Sequence, residues 1–354
     1  MDKIQLSNLI EKWIKYWDNF PIPTLNGDLH NLQDCFPISH FPIPNPQSLV
    51  PLKNLGFLLS ILLLGVSPVS AKTIGNGSIN PTASMLELQA QNQTAVDLMN
   101  QGLRLVQEEK LSEAIVAFRQ AVLVDPKLAA AHYNLGLTLR RLGQLQPAAD
   151  AFYQATQANP TFALAFANLG GALVEGNNLQ QARDYLARAL QLDPNLALTH
   201  YNLGLLKLRT NDIPGAIASF QKTMQLSPTA AAPAYQLGLI YQQQSKWEDA
   251  KTAFKRAVYL DSKYSEAHYN LGLILFNQGD IMGAIDSFRK ATEADPSFAN
   301  AYYAGGVAFL RQGRYSDAEK VLQYARDLYI TQHNSEWATK AQELLQKART
   351  GMRV

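Results

Sequence analysis

The sequence specifies an all-α fold, an α-solenoid of seven helix pairs closed by one C-terminal helix. Three observations carry this. Gly102, Gly136, Gly170, Gly204, Gly238, Gly272 and Gly306 recur at steps of 34 residues, and so do Ala114, Ala148, Ala182, Ala216, Ala250, Ala284 and Ala318. A bulky column (Phe118, Phe152, Leu186, Phe220, Phe254, Phe288, Leu322) and a small one (Ala121, Ala155, Ala189, Thr223, Ala257, Ala291, Ala325) keep the same register without insertion or deletion. Pro126, Pro160, Pro194, Pro228 and Pro296 return once per repeat, where a helix must stop. Self-similarity at this period is the signature of a stack in which each repeat packs on its neighbours.

Composition agrees with a folded chain. Of the 354 residues, 47% are hydrophobic and 17% charged, which excludes wholesale disorder. The 31 Lys and Arg nearly balance 29 Asp and Glu, and a net charge of +2 is too small for a phosphate-tracking surface. No nucleic-acid partner is expected. Cys35 stands alone, so no internal disulfide and no Cys-rich zinc site can form.

The segments before the array read in order. Residues 2–20 have helical spacing, with Ile4, Leu9, Ile10, Trp13, Ile14 and Trp17 near one side. They fit either a short packing helix or an interfacial membrane helix. Seven of the 17 prolines lie between Pro21 and Pro51, so residues 1–48 form a Pro-rich extension, extended or disordered over 21–48, or a mis-assigned start. Residues 49–71 carry the uncharged run LGFLLSILLLGV over 55–66, short for a spanning helix, which needs about 20 apolar residues. With Lys53 before it and Val69-Ser70-Ala71 after it, the run matches an export signal. Two alternatives stay open: cleavage before Lys72 and export to a periplasm, lumen or exterior, or an uncleaved anchor with a membrane-bound or cytoplasmic protein. Membrane contact through 1–20 or 50–69 goes with the second. Residues 72–83 read as linker. Ser84-Met85-Leu86-Glu87 has capping-box form, so the array is expected over 84–332.

Within each repeat, counted from Ala95, positions 4, 7, 8 and 11 share one side of a first helix, and positions 20, 24 and 27 share one side of a second. Gly at 8 and Ala at 20 let the two helices approach, and Phe at 24 fills the space between them. Asp125-Pro126, Asn159-Pro160, Asp193-Pro194, Ser227-Pro228 and Asp295-Pro296 end the second helix. Trp337, Ala341, Leu344, Leu345 and Ala348 have helical spacing, so 333–354 reads as a capping helix and tail.

The motifs His132-Tyr133-Asn134-Leu135-Gly136, His200-Tyr201-Asn202-Leu203-Gly204 and His268-Tyr269-Asn270-Leu271-Gly272, with the Ala, Phe and Pro columns, resemble the tetratricopeptide repeat (TPR) family. The repeats run 95–128, 129–162, 163–196, 197–230, 231–264, 265–298 and 299–332. The first and last depart from the pattern: Gln101 and Gly305 stand at the Leu position, and Ile330 replaces Pro. The resemblance implies a right-handed superhelix with a concave groove and a protein or peptide as partner.

On the groove side the first helices offer an amide column (Asn100, Asn134, Asn168, Asn202, Gln236, Asn270), a Tyr column (Tyr133, Tyr201, Tyr235, Tyr269, Tyr303), an apolar column (Leu137, Leu205, Leu239, Leu273) and the cations Arg141, Arg209 and Arg311. Amides both donate and accept, Tyr gives wide contact, and Arg forks onto carboxylates. Family members that clamp a free carboxylate use Lys and Asn at positions 5 and 9. Met99 and Leu103 stand there instead, so an apolar or amphipathic segment is the expected ligand.

No phosphate loop, nucleophile elbow or zinc-helix motif occurs, and no cofactor is expected. His132, His200 and His268 lie two repeats apart, too far to share one ion. The sequence therefore reads as a non-enzymatic scaffold that binds an extended or amphipathic peptide. The alternative is a structural component that self-associates or assembles in an envelope without a peptide ligand.

Overall fold

The computed structural model describes residues 81–351, with side chains from residue 89 onward. The expectations for 1–48, 49–71 and 72–80 lie outside the described residues. Among these residues every element is helical. The chain divides into two compact units, one ending at Pro233 and one starting at Ala234.

In the first unit, α1 (Pro81–Gln107) pairs with α2 (Leu111–Val124), α3 (Ala129–Arg141) with α4 (Leu145–Ala158), α5 (Ala163–Glu175) with α6 (Leu179–Leu192), and α7 (Ala197–Arg209) with α8 (Ile213–Leu226). Each second helix also packs on the next first helix: α2 on α3, α4 on α5, α6 on α7. Helix α1 already runs from Pro81, so Ser84-Met85-Leu86-Glu87 lies inside the helix and not at its start. The second unit holds α9 (Ala232–Gln243), α10 (Trp247–Leu260), α11 (Ser265–Asn277), α12 (Ile281–Ala294), α13 (Ala299–Arg311), α14 (Tyr315–Thr331) and α15 (Ser335–Thr350). There α11 pairs with α12, α13 with α14, and α15 with α14.

The glycine column explains the pairing. A Cβ built on Gly136 would lie 2.7 Å from the Phe152 ring, on Gly204 2.6 Å from Phe220, and on Gly272 2.6 Å from Phe288. The ring of position 24 therefore rests directly on the backbone of the first helix. Phe118, Phe152, Phe220, Phe254 and Phe288 are buried, each worth about 1.5–3 kcal/mol in apolar burial. In the repeats of Gly170 and Gly306 the same place is filled by Leu186 and Leu322.

Two turns set the helix ends. Asp125, Asn159, Asp193, Asp261 and Asp295 are extended C-caps, and each Oδ1 accepts the backbone N–H two residues on, at 2.9–3.0 Å. Asp261 does so although Ser262 follows it in place of Pro, so the carboxylate sets this turn without the ring's help. The turn inside each repeat puts position 15 in the left-handed region: Glu109, Gly143, Asn177, Asn211, Ser245, Gly279 and Gly313 all have φ between 58° and 85°. At the last repeat, where Ile330 replaces Pro, α14 continues to Thr331 and α15 follows after one turn. Ala341, Leu344, Leu345 and Ala348 of α15 are buried, and Trp337 meets Tyr303 edge-on at 5.3 Å.

Gly204→Ala drives a methyl into Phe220, and Ala182→Phe overfills the buried side of α6; each lowers stability by about 1–3 kcal/mol, read from the urea midpoint. Ser245→Gly relieves the left-handed position and raises stability by about 1 kcal/mol in the same measurement.

Candidate peptide-binding face

The expected groove residues lie on α1, α3, α5, α7, α9, α11 and α13, the first helices of the repeats. Their placement corrects the reading of the Tyr column. Tyr133, Tyr201, Tyr235 and Tyr269 are buried. Tyr133 packs 5.8 Å from Phe152 and 5.0 Å from Phe162; Tyr235 lies 5.7 Å from Phe254 and 4.8 Å from Tyr264; Tyr269 lies 6.0 Å from Phe288 and 5.0 Å from Phe298. Tyr133, Tyr235 and Tyr269 each close the seam between their own repeat's Phe and the aromatic that ends the repeat, whereas Tyr201 meets Phe220 at 5.7 Å and its repeat ends in Ala230. Burial pushes the Tyr133 hydroxyl up to about 12 and the Tyr269 hydroxyl well above the usual tyrosine range, so both stay neutral. Tyr303, half-buried, is occupied by Trp337 of the C-terminal helix.

The amide column is also largely used within the fold. Asn168, Asn202, Gln236 and Asn270 are buried. Asn168 Nδ2 donates to the Tyr133 hydroxyl at 3.1 Å and to Leu164 O at 3.0 Å. Asn270 Nδ2 donates to Tyr235 at 3.4 Å and to Glu266 O at 2.8 Å. Asn202 Nδ2 donates to Ala167 O at 2.8 Å, and its amide fills the space over Gly171, where a Cβ would lie 2.8 Å away. Asn134 is half-buried and donates to Ala130 O at 2.8 Å, and Asn100 is half-buried. Amides at this register therefore tie one repeat to the one before it, a use that sequence spacing does not reveal.

The apolar column is mixed. Leu205 and Leu273 are buried, whereas Leu137 and Leu239 are half-buried, as is Leu103 in the first repeat. Of the cations, Arg141 is exposed and forks onto Glu109 at 2.9 and 2.7 Å. The Arg311 guanidinium lies 4.9 Å from the Phe276 ring centre, and Arg209 is half-exposed. The part open to a partner is thus narrower than the four columns: Asn100, Leu103, Asn134, Leu137, Arg141 and Arg209 in the first unit, and separately Leu239 and Arg311 in the second.

Position 12, which spacing arguments passed over, carries a polar network. Arg140 is buried, and its side chain and that of Glu175 are each less than a tenth exposed. Arg140 Nε donates to Glu175 at 3.2 Å, Nη2 forms a second short contact to the same carboxylate, and Nη1 donates to Asn168 Oδ1 at 3.3 Å. Arg140, Glu175, Asn168 and Tyr133 thereby lock the second repeat to the third. The available signal was the opposite charge of Arg140 and Glu175, one repeat and one residue apart.

The histidines are structural. Their Nε2 atoms lie 2.8–3.0 Å from the carbonyls of Pro126, Pro194 and Ser262, holding the loop before each repeat. Burial lowers the pKa of His268. No cluster of metal-ligating side chains occurs among the described residues.

Family models described as tetratricopeptide repeat match residues 139–197, 167–231, 235–297 and 273–333, and a TPR repeat model matches 102–143, together more than half of the chain. The chain belongs to the tetratricopeptide repeat family. Its array is, by family, a protein–protein interaction scaffold. Compared with curated proteins, the sequence matches none. Among solved structures, a chain of the APC/C hetero-tetramer Cut9–Hcn1 superposes with a TM-score of 0.55 at 20% identity, over 64% of this chain and 46% of that one. Yeast Tom70 gives 0.56 at 16% identity, over 74% and 56%. PilF of Pseudomonas aeruginosa gives 0.50 at 19% identity, over 60% and 96%. At these identities the likeness is one of TPR fold. This chain spans about half the length of the first two.

Arg140→Met strands the buried Glu175 carboxylate and lowers stability by about 3–5 kcal/mol, whereas Arg140→Met with Glu175→Leu recovers most of the loss, as read from urea unfolding.

Proposed function

We propose that this TPR protein is a non-enzymatic scaffold that holds an apolar or amphipathic segment of a partner protein along the first-helix face of its array. The half-buried leucines Leu103 and Leu137 of the first unit carry the reading. They lie on α1 and α3, with the half-buried Asn100 and Asn134 on the same helices. Apolar side chains presented on folded helices bind with less ordering cost than side chains on a loop. Arg141, Arg209 and Arg311, each in the last turn of a first helix, favour acidic residues flanking the apolar ones.

A second reading, self-association, draws on a different surface. Leu123 is 80% exposed and Val116 52%, both on α2 of the first unit. A dimer seen by sedimentation that dissociates on Leu123→Glu supports it, and a monomer at every concentration ends it.

For the compartment, we propose export, with the apolar run at 55–66 as signal and Lys72 as the first mature residue; the anchored form is the alternative. No helix among the described residues is long and apolar enough to cross a membrane. N-terminal sequencing of the protein from its native cell decides, since an intact Met1 overturns export.

The test of the groove is panning of the full chain against a displayed library of random dodecapeptides. Apolar peptides with flanking acidic residues are expected, and Leu137→Glu weakens them at least tenfold while Leu123→Glu on α2 leaves them unchanged. Loss on Leu123→Glu alone would move the site to the other face.

A further inference from the structure

We propose that the exposed face of α10, in the second unit, docks on an anionic lipid surface, an interaction separate from the first-helix face above. Four side chains make it. Tyr259 is 81% exposed, and Lys255, Arg256 and Lys263 around it are exposed as well. Helical spacing places Lys255 and Tyr259 one turn apart on one side with Arg256 beside them, and Lys263 follows in the turn after the helix. From Lys251 to Lys263 the chain carries four cations and one carboxylate, Asp261, whose Oδ1 accepts the Lys263 backbone N–H at 2.9 Å. Glu248, one turn before Lys251, is held by Lys251 at 2.8 Å and by Gln278 at 2.6 Å. The face therefore sets an excess of positive charge around one projecting ring.

The combination is particular to this repeat. Position 26 carries a cation in four successive repeats, Arg188, Lys222, Arg256 and Lys290, yet position 29 is Gln157, Gln191, Gln225, Glu293 and Asp327 where α10 has Tyr259. One repeat on, Arg289 and Lys290 are taken up by Asp286 and Glu293 at 2.5–2.8 Å. The chemistry of the four side chains selects the partner. A tyrosine has an apolar body and a polar tip, which suits the headgroup level of a bilayer, where the ring enters the interface and the hydroxyl stays hydrated. Cations beside it meet lipid phosphates, and each adds about fivefold to partitioning onto an anionic surface. An acidic peptide fits less well. With four-fifths of Tyr259 in water, no neighbouring wall shapes a channel for a chain, whereas a headgroup layer closes around a projecting side chain from every side.

The experiment mixes the full chain with vesicles of phosphatidylcholine alone, or of phosphatidylcholine and phosphatidylglycerol in equal parts, and reads the bound fraction by flotation. The apolar run at 55–66 is the same in every variant, and its contribution is read from phosphatidylcholine alone. Phosphatidylglycerol is expected to raise partitioning, and added salt to reverse the gain. Lys255→Gln, Arg256→Gln and Lys263→Gln together lower partitioning onto the mixed vesicles about tenfold or more, and Tyr259→Ser lowers it further. Lys340→Gln on α15, an equal loss of charge from a lysine bonded to Glu336, leaves it unchanged. The salt dependence needs no variant, so it decides the matter even where a substitution unfolds the chain. No gain from phosphatidylglycerol, or the same gain for the parent and the triple variant, overturns the assignment. Capture on poly-glutamate that the triple variant loses, with no gain on the mixed vesicles, overturns it in favour of an acidic protein partner.

Discussion

The contact of one ring with one glycine backbone governs this molecule. Position 24 of each repeat places Phe or Leu against the glycine at position 8, and no Cβ fits between them. That contact fixes the separation of the paired helices. In the repeats of Tyr133, Tyr235 and Tyr269 it also fixes where the next side chains fall: the tyrosine one turn away meets the same ring, and the aromatic ending the repeat covers the tyrosine's other side. The buried seam in these repeats therefore grows from a single close approach. Its strength lies in repetition, since one helix pair cannot cover its own apolar face.

The fold was legible because its determinants are short-range and periodic. Gly, Ala, Phe and Pro at fixed offsets state helix pairing, contact distance and helix end within one 34-residue window. The face was less legible because its residues answer to neighbours 35 positions away. Tyr133 and Asn168 look alike as groove residues when each is read within its own repeat. Placed side by side, they bond to each other and leave the surface. The Tyr column was misread for the same reason: spacing gives a direction from the helix axis but not what the adjacent repeat puts there. Position 15 passed unnoticed because its requirement is conformational and is met by Gly, Asn, Ser and even Glu, with no common side chain to see.

Departures from the repeat average mark the places where this array is particular. Repeat three replaces Tyr and Leu by Ala167 and Gly171, and the amide of Asn202 moves into the space. Arg140 brings a buried charge, paired with Glu175, to a position where apolar residues stand in other repeats, as Phe276 and Leu310 do. Such a pair adds little net stability against a hydrophobic equivalent, but it strongly penalises loss of either member.

That penalty has a consequence for how such a gene can change. A block of 34 residues that brings its own glycine, ring and terminal turn is a natural unit of duplication or excision, since the reading frame of contacts resumes at the next block. The seam between the second and third blocks is an exception. A crossover there parts Arg140 from Glu175 and passes an uncompensated charge to each product. Recombination that shuffles these repeats should therefore move the two blocks together, and the pair acts as a genetic linkage written in electrostatics.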